Sequence, residues 1–188
     1  MQYTDYSAEE FSKEAKTFGY SDQKVASCMQ NVGWSIWHIP RKNSHFVGRA
    51  STLALLAEKF RSDPKKSSEQ IALVGVGGMG KSSLAVEYMH QFQHRYSLVW
   101  WMGAEQSPAT GLRELGEKLG IKAPEKEFIR SVIAYLEKNP GWLLVYDNAE
   151  SPQELFPFLP KSGGHILITS RNATWRDAIR LEILSPSE

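Results

Sequence analysis

The sequence predicts an α/β fold, a five-stranded parallel sheet flanked by helices, with a short helical extension in front. Two observations predict it. From Phe46 onward, short apolar runs of strand length alternate with stretches whose apolar residues recur at helical spacing. The first of those runs opens into a glycine cluster that is followed at once by a helical stripe. Bulk properties agree with a single globular unit. The 188 residues allow one domain plus a small appendage at about 150 residues per domain. Apolar residues make up 41% and charged residues 23%, which argues against wholesale disorder.

In the first forty residues, Phe11, Ala15 and Phe18 fall at i, i+4, i+7, and Val25, Cys28, Met29 and Val32 at i, i+3, i+4, i+7. These predict two short amphipathic helices divided by Gly19, with Ser21 or Asp22 as N-cap. The aromatic stretch Gly33 to Pro40 follows, then a linker from Arg41 to His45. Residues 1–38 are therefore assigned to an extension and 39–188 to the main domain. Leu53, Leu56 and Phe60 form one face of a helix that ends before Asp63-Pro64. Ile71 to Val74 is the first strand, a continuous apolar run as a buried parallel strand requires. Leu84, Ala85, Tyr88, Met89 and Phe92 make the next helix, and Leu98 to Met102 the second strand. Two helices follow, one through Leu112, Leu115 and Leu119 and one through Phe128, Val132 and Leu136. Trp142 to Tyr146 is the third strand, His165 to Thr169 the fourth and Leu181 to Leu184 the fifth.

The glycine cluster carries the chemistry. Gly75-Val76-Gly77-Gly78-Met79-Gly80-Lys81-Ser82 fits G-x-x-x-x-G-K-[ST] at every fixed position, with a strand before it and a helix after it. A phosphate chain needs several backbone N–H groups turned toward one point, and glycines permit that path. The helix N-terminus adds its positive end. Lys81 supplies a cation for the β- and γ-phosphates, Ser82 a hydroxyl for Mg²⁺, and Ser83 lies one residue deeper, near the α-phosphate.

A second apolar strand ends in Asp147, where an acid orients Mg²⁺. Asn148 follows it. Asparagine positions water but cannot accept its proton, so slow hydrolysis is expected. The fourth strand runs into Thr169-Ser170-Arg171, and the Arg171 guanidinium suits a γ-phosphate because its fork pairs with oxygens two at a time. The expected spatial order of strands is fifth, first, fourth, third, second, which brings these three strand tips to one edge.

Together these elements resemble the NB-ARC module of the STAND class of signal-transduction ATPases, over about Trp37 to Glu188. That class includes plant resistance proteins, apoptosome ATPases, and bacterial and fungal relatives with repeat sensors. Phe46-Val47-Gly48-Arg49 is similar to the family's hydrophobic-hydrophobic-Gly-Arg lead-in, which implies that its backbone lies against adenine. Gly75 to Ser83, Leu98 to Glu105, Leu143 to Asn148 and Thr169 to Arg171 match the family's motifs in order. Trp37 to Arg49 and Val99-Trp100-Trp101 look closest to the subgroup with tetratricopeptide repeats. The resemblance implies an ADP- or ATP-binding switch with Mg²⁺, innate-immune type signalling, and self-association of the longer protein through this module. The family continues with a helical subdomain, a winged helix and repeats, so the chain reads as a nucleotide-binding subdomain or a short form.

Two alternatives stand beside the switch: a turnover ATPase of AAA+ type, and an interaction module in which the first forty residues dock a partner. The charge balance, 22 − 21 = +1, with basic residues dispersed, points to no nucleic-acid groove. The lone Cys28 excludes an internal disulfide and reads as a small hydrophobe. No apolar run approaches the ~18 residues of a membrane span, and no secretory signal is seen, so a cytoplasmic protein is expected. His90 and His94, at i, i+4 without a nearby acid, read as a helix surface and not a metal site.

Overall fold

The apolar runs become strands wherever both faces can be covered by helices. The structure is a computed structural model, and it describes residues 3–4, 36–44, 46–66, 68–104 and 107–182. Its strands are β1 (Tyr3–Thr4), β2 (Ile36–Pro40), β3 (Glu69–Val74), β4 (Leu98–Gly103), β5 (Trp142–Ala149), β6 (Gly164–Ser170) and β7 (Ala178–Arg180). Its helices are α1 (Ala50–Lys59), α2 (Lys81–Phe92), α3 (Pro108–Lys118), α4 (Phe128–Lys138) and the single turn α5 (Pro152–Leu155). The two helices expected before residue 33 lie outside the described residues, as does Cys28.

Side chains alternate across the strands and divide the core in two. Ile71, Leu73, Val99, Trp101, Leu143, Val145 and Leu167 face α1 and α2, where Leu53, Leu56, Leu84, Tyr88 and Met89 are buried. Ala72, Val74, Trp100, Met102, Leu144, Tyr146, Ile166 and Ile168 face α3 and α4, with Leu112, Leu115, Val132 and Leu136. Each such aliphatic side chain contributes roughly 1.5–3 kcal/mol on burial. Gly111 lets α3 lie directly on β4: a Cβ there would sit 2.4 Å from Met102 Cγ. The neighbouring Trp100 Nε1 donates to the Gly111 carbonyl at 3.1 Å.

The sheet runs β1-β2-β4-β5-β6-β3-β7 among the described residues. It has seven strands, not five, so the expected order 5-1-4-3-2 describes only the segment β7-β3-β6-β5-β4. The added strands lie beyond β4. β2 pairs with it in parallel, Trp37 opposite Val99 and His38 opposite Trp100, and β1 pairs with β2 antiparallel. The His38 ring stacks on Trp100 at 4.3 Å between centroids. β2 crosses position 38, so the boundary expected there falls inside a strand.

The last strand also differs from expectation. It is Ala178–Arg180, not Leu181 to Leu184, of which 183 and 184 lie outside the described residues. Ile179 and Leu181 are both buried on the α1–α2 side, two residues apart, and that period sets the register. His90 is a second correction. It is not on a helix surface: it is 9% exposed, and its ring nitrogen lies 2.9 Å from the Pro40 carbonyl, tying α2 to β2.

Candidate phosphate-binding site

β6 lies between β3 and β5, so the carboxyl ends of all three meet at one edge. The chain leaves β3 through Gly75 to Gly80 and turns into α2. Gly78 and Gly80 hold φ of 79° and 78°, in the left-handed region, with no atom within 4 Å of where a Cβ would stand. Glycine is favoured there by the backbone path and not by crowding. Gly80 is the N-cap of α2 and offers no side chain to its amides. The amides at a helix N-terminus of this kind suit an anionic ligand.

Lys81 is the first residue of α2 and only 8% exposed. Its Nζ donates to the carbonyls of Gly75 and Val76, each at 2.8 Å, folding the side chain back over the loop. Burial lowers its pKa, the Arg171 guanidinium lowers it further, and Asp147 acts in the opposite sense. The site thus holds two cations and one carboxylate, a surplus that favours an anion. Arg171 follows β6 and rests against the loop, its guanidinium carbon 3.7 Å from a Cβ placed on Gly77.

Asp147 enters from β5. Its Oδ1 accepts from Ser82 Oγ at 2.7 Å and from Thr169 Oγ1 at 2.6 Å. Ser82 and Asp147 are the expected metal pair, and the structure brings them together. Two hard oxygen donors in contact beside the loop fit Mg²⁺. A cleft of about 300 Å³ is lined by Gly77, Gly78, Met79, Gly80, Lys81, Ser82, Ser83, Asn148, Thr169 and Arg171. Among the described residues no group of three His, Cys, Asp or Glu forms a separate metal cluster.

The lead-in residues sit beside this cleft, not in it. Arg49 is 7% exposed with φ 62°, and its Nη2 donates to the Met79 carbonyl at 3.2 Å and the Glu182 carbonyl at 2.6 Å. It ties the phosphate loop to the chain after β7. Gly48 is also left-handed at φ 74°, Phe46 packs against the α1–α2 core, and Val47 is exposed. Thr169 is the residue whose individual role sequence reasoning missed. A hydroxyl directly after the apolar run Ile166-Leu167-Ile168, on a strand beside one that ends in an acid, is the signal that could have found it.

No family model matches the chain. A nucleotide-binding leucine-rich repeat (NLR)-like protein of Hyaloscypha variabilis is 27% identical over 138 residues, covering 66% of this chain and 14% of that protein. The chain therefore spans a small part of that relative's length. Among solved structures, Cdc6p from Pyrobaculum aerophilum superposes with a TM-score of 0.58 at 15% identity, covering 77% of this chain and 47% of that one. At that identity the likeness is one of fold. The chain thus combines an α/β fold of this kind with a phosphate-loop motif and a strand-end acid bonded to the loop's serine. No helix among the described residues is long and apolar enough to cross a membrane.

Proposed function

We propose that this P-loop module binds ADP or ATP with Mg²⁺ and serves as the nucleotide switch of a longer NB-ARC-like, STAND-class signalling protein. One observation carries the reading: Lys81, Ser82 and Arg171 line a cleft floored by the loop, and Asp147, from a third element, is bonded to Ser82 beside it. Lys81 and Arg171 would contact the terminal phosphates, and the loop amides the rest of the chain of phosphates. Ser82 and Asp147 would hold Mg²⁺, which offsets phosphate charge when bound. Phe46, Val47, Gly48 and Arg49 are assigned to the adenine side. Asn148 supplies no carboxylate after Asp147, so the module is a slow hydrolase. The relative named as a nucleotide-binding, NLR-like protein supports the nucleotide-binding part of this reading; a signalling role, self-association through this module in the longer protein and a cytoplasmic setting complete the proposal. Residues 1–38 are assigned to an extension of the nucleotide-binding unit.

Extraction of nucleotide from purified protein, followed by calorimetry of the emptied chain with ADP, ATP and GTP, tests the reading. Adenine nucleotides are expected to bind, and more tightly than GTP. A folded chain that takes no nucleoside di- or triphosphate would refute it. The turnover alternative is separated by the rate of ATP hydrolysis.

A further inference from the structure

The ladder between β5 and β6 is interrupted beside the site. Tyr146 pairs with Ile168, but the next pair is Ala149 with Ser170, so three residue steps on β5 oppose two on β6. This is a β-bulge at Asp147–Asn148. Asn148 has φ 61°, the left-handed conformation that asparagine tolerates better than most residues. Its N–H donates to Thr169 Oγ1 at 2.8 Å, so a side chain takes the place of a strand carbonyl.

That bond fixes the polarity of the network. A backbone N–H can only donate, so the Thr169 oxygen is the acceptor there. The single hydroxyl proton of Thr169 then goes to Asp147 Oδ1, 2.6 Å away. Thr169 itself is 1% exposed, which shields its side of these bonds from bulk water. Ser82 Oγ is the other donor to the same Oδ1. Ser82 would lend its oxygen to a cation, which leaves Thr169 as the group that keeps the carboxylate aimed. Bulges beside active sites commonly re-aim a side chain in this way.

We propose that Thr169 is a positioning residue: by closing the bulge at Asp147–Asn148 it points the Asp147 carboxylate at Ser82 and thereby sets the Mg²⁺ dependence of nucleotide binding. The inference rests on the phosphate-loop reading above and names a residue that acts through another. Valine at 169 would keep the shape and β-branching of the strand but remove both hydroxyl bonds.

The test compares the ADP dissociation constant with Mg²⁺ and with EDTA for the unmodified chain, Thr169→Val and Thr169→Ser. The unmodified chain should bind more tightly with Mg²⁺. Thr169→Val should lose about tenfold or more of that advantage, the scale of one hydrogen bond to a charged group. Thr169→Ser, which keeps the hydroxyl, should restore the advantage. A folded Thr169→Val chain with the full Mg²⁺ advantage would overturn the inference and leave the function standing. An unmodified chain that binds ADP equally with and without Mg²⁺ would overturn the metal assignment and this inference together. Should the valine variant not fold, hydrogen exchange on the unmodified chain decides. The Asn148 amide should exchange at least about tenfold more slowly than exposed loop amides, and exchange at their rate would overturn the bulge-closing bond.

Discussion

Replacing Lys81 by methionine should abolish most phosphate affinity without unfolding the chain. The Lys81 ammonium makes two hydrogen bonds of 2.8 Å to loop carbonyls, and it is mostly buried at the head of α2. A bound phosphate would replace those neutral carbonyls with anionic oxygens. One charge-assisted contact is worth ~1.5–3 kcal/mol, so ADP affinity should fall about ten- to hundredfold. The fold should tolerate the change. Burial and Arg171 both act against the charged form of Lys81, and the Val76 segment is exposed enough for water to satisfy the freed carbonyls. The unfolding free energy without nucleotide should therefore move by less than about 1 kcal/mol. Calorimetry with ADP and AMP, paired with urea unfolding, makes the check. ADP should lose much more than AMP, since Lys81 is assigned to phosphates that AMP lacks. Unchanged ADP affinity in a folded Lys81→Met chain would refute the assignment, and an equal loss for AMP would move the lysine to the α-phosphate.

Arg171→Ala should weaken ATP binding about tenfold and ADP binding much less, because the guanidinium lies over Gly77 where a terminal phosphate would be met; equal effects by calorimetry would remove its γ-phosphate role. His165 should make stability pH-dependent. It is fully buried against the Phe60 ring and bonded to the Tyr96 hydroxyl, and burial, helped by Arg95, lowers its pKa to about 4 from 6.5. The unfolded chain binds the proton first on acidification, so stability is present above 6.5 and is lost as pH falls toward 4, by at most about 3 kcal/mol. Urea midpoints that do not fall more in the unmodified chain than in His165→Gln over that window would count against it. Turnover of ATP should lie well below the ~1–10³ s⁻¹ of dedicated enzymes, and Asn148→Asp should raise it. Brisk hydrolysis by the unmodified chain, lost in Lys81→Met, would favour the turnover ATPase.

Strands β3, β4, β5 and β6 and the four long helices were legible because each has a period that burial enforces: continuous apolar runs between helices, and helical stripes facing the sheet. β2 was not legible because Trp37-His38 carries its own chemistry; the His38 ring is covered by a stack on Trp100, which no propensity records. His90 read as a surface residue for a similar reason: it is buried by a polar partner on another element, the Pro40 carbonyl. The phosphate loop was legible in full, since its glycines and Lys-Ser pair are local. Arg49 was legible only as part of a motif. Its contacts with Met79 and Glu182 span 30 and 133 residues of sequence, and only the folded sheet brings them together.

Asn148 is the position where sequence and structure give different reasons for one residue. Read as a sequence, it stands where a second carboxylate is common, and so it speaks about hydrolysis. In the fold it carries φ 61° at a bulge, and its amide is held by Thr169. Aspartate tolerates that conformation as well as asparagine does, so backbone geometry alone does not explain the choice. Charge distinguishes the two. A carboxylate at 148 would lie on the cleft beside Asp147, whose Oδ1 already gathers the Ser82 and Thr169 hydroxyls. It would disfavour ionisation of its neighbour and lower the surplus of positive charge that Lys81 and Arg171 provide. Asparagine keeps the turn and leaves that surplus intact, favouring retention of an anionic ligand over its turnover. On this argument Asn148→Asp should raise the hydrolysis rate and weaken ADP binding together. Faster turnover with unchanged ADP affinity would show that the neutral side chain serves hydrolysis alone.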